Sequence, residues 1–566
     1  MKKTLSKFSA AAVLAGALLQ AAAPTPGMAK SALYAPIDSM HPDAVLTSQH
    51  SGQSLYQASE SLTKRWTFST GDKVLFFGTV GPDGTVYATG QRDMGHPIRV
   101  YAISPGGKLL WSYETEGEGI ATMELGPDGN LYVNAETVYV LSTKGKLVRK
   151  FAAEGWAAAI SHDGMVYTYH DDVVAARTKT GEAKWTFESW GLEPWSIVLG
   201  KDNTLYAIDQ NQGLMAFDAA GGIKWTWMDD AYDYYSGTSL GHDGNIYIYA
   251  KKKDTYPREI TVLFAIGPDG QKRWELQIAD VQAADARGYT IQPFSVGNDG
   301  TMYFGASDRL VAITPDGKRK WEAKLFDYGA LDGHAGVTSP TIGADGTLYF
   351  AADSMTETTI GEKIQWTSNN YLFAYTPDGK KKWSRTNAEH VLFDNRGGRK
   401  DWGTGFFPIS RPVIAPSGVM YMMGNTLHRS DTKRFEAVMY AFGAPVQQYE
   451  TAKVSVNGTL QYYDQPAIVS NGAVLVPLKG LFGSLGAQTA WDGAAQAVTA
   501  TKGSLTIKLT IGSKKAYVGG REVALSVPAT VLRGRTYVPL RFVSEALGAD
   551  VQWDNKLRTA MINGNP

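Results

Sequence analysis

The chain has 566 residues, with 55 basic and 55 acidic side chains and no cysteine. Neutral balance argues against a nucleic-acid binder, which would need a basic patch or stripe. The missing cysteine excludes disulfide frameworks, thiolate metal sites, cysteine nucleophiles and a lipidated N-terminal cysteine. Charged residues at 19%, aromatic residues at 11% and 61 glycines point to turn-rich β structure rather than coiled coil or disorder.

Residues 1–29 carry early lysines, an apolar run from Phe8 to Ala23 and small residues at Gly27 and Ala29. That is the pattern of a secretory signal peptide cut after Ala29, with a cut after Ala23 as the alternative. The run is shorter than the ~20 residues a membrane-spanning helix needs. No other apolar stretch is long enough to span, so a secreted, extracellular protein with no integral membrane segment is expected. Residues 30–61 form an N-terminal segment without a pattern of its own.

From there one phrase recurs. It reads Gly81-Pro-Asp-Gly-Thr-Val-Tyr87, and again at Gly126–Tyr132, Ser161–Tyr167, Gly200–Tyr206, Gly241–Tyr247, Gly297–Tyr303, Gly343–Tyr349 and Ala415–Tyr421, eight copies in all. Asp-Gly between apolar runs is a tight-hairpin signal, because Gly accepts positive φ and Asp bonds its own backbone. Behind most copies stands a second phrase, an apolar strand, a Gly turn and a Trp, as in Val100-Tyr-Ala-Ile-Ser-Pro-Gly-Gly-Lys-Leu-Leu-Trp111. Trp185, Trp225, Trp274, Trp321 and Trp383 hold the same place, and Arg149 departs from it. Each unit supplies four strands, which predicts an eight-bladed β-propeller over residues 62–445. The eighth unit lacks its Trp strand, and 64–68, with Trp66, supplies it from the other end of the domain. The Ala-x-x-x-x-Gly-x-x-x-Trp phrase resembles the tryptophan-docking repeat of pyrroloquinoline quinone (PQQ)-type propellers. That resemblance covers both quinoprotein alcohol dehydrogenases and cofactor-free outer-membrane assembly proteins, and the seven tryptophans are expected to stack under the Gly turn of the neighbouring blade.

Residues 446–566 follow another pattern. Leu475-Val-Pro-Leu-Lys-Gly-Leu-Phe-Gly-Ser-Leu-Gly-Ala-Gln-Thr-Ala-Trp-Asp492 recurs from Tyr537 to Asp554. Each copy predicts a strand ending at Val-Pro, a short helix, a Gly cap at Gly486 or Gly548 and another strand. This small α+β duplicated unit resembles the copper amine oxidase N-terminal domain, which implies an accessory module without copper or catalysis, associated with the cell envelope. The fold class of the whole is thus all-β, an eight-bladed propeller followed by this module.

A quinoprotein dehydrogenase, as the resemblance implies it, sets PQQ under adjacent cysteines with a Ca²⁺ and an Asp base; the cysteines cannot exist here. The Asp-Gly phrases lack the alternating ligands and distal Glu of calcium loops. No His pair, Gly-x-Ser-x-Gly or phosphate loop occurs. The expectation is no cofactor, no metal, no catalytic residue and no enzyme, with a PQQ-dependent dehydrogenase and a wall-polysaccharide lyase or hydrolase as rivals. In an up-and-down blade the Asp-Gly and Gly-Lys turns share one face, and every long insertion (251–261, 351–370, 387–408 and 424–436) falls on the other. Loops leading into the inner strands carry Trp190, Trp195, Asp233, Tyr234, Tyr235, Arg287, Tyr289, Asp332, His334, Arg399, Asp401 and Trp402. They are the candidate ligand-binding set at the mouth of the channel, with wedging of loops as the competing role. The expected partner is a cell-envelope component or an extracellular polysaccharide or protein, not nucleic acid.

Overall fold

The computed structural model describes residues 52–564 apart from short stretches, the longest being 283–293, 327–333, 395–406 and 428–434, and gives only the backbone in parts of some strands. The proposed leader at 1–29 lies outside the described residues. Between Lys64 and Phe442 the chain forms eight antiparallel sheets of four or five strands. Blade 1 is built from Val74–Val80, Val86–Gln91, Arg99–Ile103 and Leu109–Glu114, and the later blades repeat that order outward from the axis. Contacts run from each blade to the next and from blade 1 back to blade 8, so the sheets close a ring.

Sequence dictates which strand goes where. Strands two and three of a blade are apolar on both faces, as in Val86–Gln91, which is buried along its whole length. The fourth strand reads exposed at alternate positions, as in Leu109–Glu114, and forms the outer edge. The hydrophobic core is accordingly split into clusters, each shared by neighbouring blades, such as Val198, Tyr206 and Ile208 of blade 4 with Leu240, Ile246 and Phe264 of blade 5. Burial between sheets is what holds one blade to the next.

Blade 8 is completed from the N-terminus. Lys64–Ser69 pairs antiparallel with Phe435–Phe442, setting Trp66 opposite Ala441 and Phe68 opposite Met439. The preceding segment is a strap. Ile342, on the innermost strand of blade 7, donates its N–H to the Gly52 carbonyl (2.9 Å) and accepts from the Ser54 N–H (2.7 Å). Ala344 then bonds the Tyr56 carbonyl (3.0 Å), and Ser59 N–H reaches the Gly418 carbonyl in the blade 8 turn (2.8 Å). Tyr56 and Ala58 enter the blade 7–8–1 core.

The tail holds an eight-stranded sheet, a five-stranded sheet and two short helices, Leu478–Ser484 and Leu540–Ala546. The two Val-Pro strands, Ala473–Pro477 and Arg535–Pro539, pair antiparallel with Val476 opposite Val538, so the two copies meet about a local two-fold. Gly486 (φ +71°) and Gly548 (φ +84°) end the helices in the left-handed conformation that lets Ala487 and Ala549 N–H groups reach back to the carbonyls of Phe482 and Ser544. The copies then diverge. Gln488–Asp492 opens the five-stranded sheet, whereas Asp550–Asp554 edges the larger one.

Candidate functional site

Each blade has two unlike ends. At one, the Asp-Gly turn closes on itself: Gly81 N–H bonds the Thr85 carbonyl (2.8 Å), and Asp83 accepts from the Thr85 N–H (3.0 Å) and hydroxyl (2.9 Å). Beside it sits the second turn, under which the tryptophan of the preceding blade is wedged. The indole N–H groups of Trp66, Trp111, Trp185, Trp225, Trp274 and Trp321 bond carbonyls in the next blade's turn at 2.8–3.2 Å. A Cβ at Gly145 would stand 2.6 Å from Trp111, so only Gly fits there. At the departing position two residues share the work: Arg149 Nε bonds the Lys179 carbonyl (2.7 Å), while Phe151 lies against Gly181. Trp383 differs. Blade 8 has no second turn, because its third and fourth strands come from opposite ends of the domain, and the buried Trp383 Nε1 has no partner among the described residues.

The opposite end carries the insertions. Two of those read as long loops are largely continuations of the ladder. In blade 7, Leu348–Ile360, Lys363–Tyr375 and Lys381–Asp394 pair along their lengths, so 351–370 is a long hairpin. In blade 5, Ile246–Lys252 and Arg258–Ile266 leave only a short connection between them. Extra residues in register with a neighbour find backbone partners, which irregular loops would leave to water.

Of the candidate set, Trp195, Arg287, Tyr289, Asp332, Arg399, Asp401 and Trp402 lie outside the described residues. His334 begins the inner strand His334–Val337 of blade 7, paired with Met355. Asp233, Tyr234 and Tyr235 lie at the start of the inner strand of blade 5, and Trp190 lies on the connection from blade 3 to blade 4, joined to them through Gln210; not all face outward. Tyr235 is 0% exposed; its hydroxyl donates to the Asp229 carbonyl (2.7 Å) and accepts from the Asp229 N–H (3.0 Å). Its role is to hold the loop, the wedging alternative, because a phenol in the core must find partners there.

Trp190 is 87% exposed on a turn whose backbone is fixed on both sides. Ser189 N–H bonds the Asp172 carbonyl (2.8 Å), and the Gly191 carbonyl accepts from Gln210 N–H (2.6 Å). A Cβ at Gly191 would meet Asn211 Nδ2 at 2.5 Å and Asp209 Oδ1 at 2.8 Å, so this turn presses on the hairpin turn of blade 4. Asp209 shapes that hairpin by accepting from the N–H groups of Asn211 (2.7 Å) and Gln212 (2.9 Å). Gln210 then reaches across to blade 5, donating to the Tyr235 carbonyl (2.8 Å) and accepting from its N–H (3.0 Å). The same Nε2 donates to Glu193 Oε2 (3.2 Å). Burial pushes the Glu193 carboxyl above its ordinary range against the lowering effect of that bond.

Tyr234 stands on a bulge of Tyr232–Leu240, with φ +50°, and is 52% exposed. A left-handed aromatic residue is strained and is held by its surroundings. Lys251 Nζ lies 5.2 Å from its ring centroid and pairs with Glu259 at 2.9 Å. Tyr249 has its hydroxyl pushed up by burial, an effect relieved by a bond to Ser236. Sequence reading missed Glu193 and Gln210. The only signal was their position, one beside Pro194-Trp195 and the other in a turn lacking the repeated phrase.

The repeated indoles are taken up between blades, and among the described residues no three His, Asp or Glu side chains converge to hold a cation.

Residues 455–562 match the family described as Copper amine oxidase N-terminal domain. A protein named Protease inhibitor from Brevibacillus choshinensis is 34% identical over 116 residues, 20% of this chain; the chain spans about a third (34%) of that relative's length. Among solved structures, BamB from Moraxella catarrhalis is similar at 13% identity and TM-score 0.41, covering 69% of this chain and 99% of that one. The Dos1 propeller is similar at 9% identity and TM-score 0.36, covering 74% and 98%. The chain is a β-propeller followed by a copper amine oxidase N-terminal-like domain, an assignment that rests on the sheets and the tail match.

Proposed function

We propose that this is an exported, non-enzymatic binding or scaffolding protein whose decorated propeller face takes a ligand or partner and whose tail, 446–566, associates the chain with the cell envelope. The observation that carries the reading is the contrast between the two blade ends. One is closed by eight near-identical turns; the other carries the extended hairpins and the exposed aromatic side chains. Long elements on a rigid scaffold are where recognition concentrates. The tail departs at the plain end: Gly443, whose N–H bonds the Thr63 carbonyl (2.9 Å), follows the outward run of the third blade 8 strand. Tethering from that side leaves the decorated face free. Export is supported by the leader pattern of residues 1–29.

Retention of the full chain on isolated cell wall, with and without residues 446–566, tests this. The full chain is expected to be retained and the truncated one released. Equal retention would remove the tail's role, and no retention of either would remove the envelope reading.

A further inference from the structure

We propose that the decorated end of blade 4, with its neighbours on blades 3 and 5, binds a neutral, hydroxyl-rich extracellular polysaccharide, whose sugar rings use Trp190 and Tyr234 as separate stacking platforms and Glu193 as a hydrogen-bond partner. The proposal rests on the decorated face being the binding face, and it gives that face its ligand class.

Trp190 is the most exposed large apolar side chain of the described residues, yet its turn is pinned by Ser189, Gly191 and the packed hairpin of Asp209. A large aromatic is rarely left in water, and here a rigid backbone displays it. Tyr234 is displayed by a bulge and a positive φ, half exposed, with Lys251 Nζ over its ring. Gln210 fixes Glu193 through Oε2, bonds the Gly191 carbonyl beside Trp190 and holds the Tyr235 backbone beside Tyr234. Flat aromatic faces suit the C–H face of a pyranose, and a held carboxylate suits its hydroxyls.

Two alternatives fit less well. A polyanion would meet Glu193, Asp233 and Glu259, with Lys251 already paired with Glu259 and the exposed Lys252 and Lys253 as the remaining cations, so the polyglutamate comparison decides for it or against it. An extended peptide binds by unpaired backbone, but at this mouth the backbone of Gly191, Glu193, Gln210 and Tyr235 is already bonded. Recognition is left to side chains.

The test is calorimetric titration of the full chain with chitohexaose, cellohexaose and laminarihexaose, with polyglutamate and polylysine as ionic comparisons. At least one neutral oligosaccharide is expected to bind, with affinity weakened about tenfold or more in Trp190→Ala and in Tyr234→Ala. Glu193→Gln is expected to weaken it less, because an amide oxygen still accepts. Leu110→Ala, an exposed apolar side chain on the outer strand of blade 1, is the variant expected to leave binding unchanged. Circular dichroism of each variant establishes that it is folded. Binding of the charged polymers alone, of no neutral oligosaccharide, or with equal affinity in every variant would overturn the subsite. If wall retention persists in Trp190→Ala/Tyr234→Ala while oligosaccharide binding is absent from the native chain, the subsite fails and the broader reading survives.

Discussion

At the scale of single residues, the ring is held by a contact that tolerates little. Gly221 has φ +87°, and a Cβ there would stand 2.5 Å from Cγ and 2.7 Å from Cδ2 of Trp185, itself bonded to the Ala219 carbonyl. Gly221→Ala therefore adds backbone strain to overpacking, and a loss of about 2–4 kcal/mol is expected. Gly129 supplies the comparison, with φ +76° but nothing within 4 Å of its Cβ position. Gly129→Ala carries the conformational part alone, about 1 kcal/mol. Urea unfolding of both variants separates the terms, and equal losses would mean that the indole contact contributes nothing. Arg149 shows the same contact met by other chemistry. Its guanidinium replaces the indole N–H at the Lys179 carbonyl and lies 5.7 Å from the Tyr132 ring centroid, where other blades stack Trp on Tyr. One planar donor over an aromatic face substitutes for another.

At the scale of elements, closure depends on Lys64–Ser69, and opening it breaks a whole ladder. Ser69 faces Val438 across the two strands, and directly opposed antiparallel residues stand close enough for a disulfide. In a chain without cysteine, Ser69→Cys with Val438→Cys can form only this bridge. Oxidation is expected to stabilise by about 2–4 kcal/mol, seen as a rise in melting temperature abolished by reductant. A pair that stays reduced under oxidising conditions would show that the N-terminal strand does not close blade 8. This closure was legible in the sequence because an eighth unit without Trp and a Trp strand without a unit complement each other. So were the turns, since Asp-Gly chemistry is local. The strap was not, because its partners at Ile342 and Gly418 lie hundreds of residues away and it carries no periodicity. The hairpin of 351–370 reads as loop in the sequence because its polar residues and four threonines lack the alternation that marks a strand; the pairing is seen in the backbone. Of the mouth, Trp190 and Tyr234 could be read as exposed aromatics. The inward turn of Tyr235 could not, since a bulge shifts which neighbour faces the core.

At the scale of the whole molecule, the repeated tyrosine couples the blades to pH. Each phrase ends in a buried Tyr, set against the Trp of its own blade, as Tyr87 against Trp111 and Tyr206 against Trp225, or in blade 2 against Arg149. Burial first, and the nearby turn Asp second, push the hydroxyls of Tyr87, Tyr132, Tyr167 and Tyr206 from 10.0 up to about 12; Tyr421 is raised to about 12 by burial alone. Tyr247, Tyr303 and Tyr349 are raised further in the same direction, again chiefly by burial. The folded state therefore keeps protons that the unfolded chain releases. Their contribution is fully present below pH 10 and is lost as pH rises through the folded values. Because a closed ring gives no blade an independent exit, these groups should ionise together. An alkaline titration is expected to show one steep transition between pH 10 and about 12. Tyrosinate absorbance and loss of the far-ultraviolet β signal should coincide, with more than one proton released. Adding glycerol or salt should move the midpoint without splitting it. Gradual tyrosinate formation with the β signal intact, or two separated steps, would mean that blades open singly and that the closing strand does not join them into one cooperative unit.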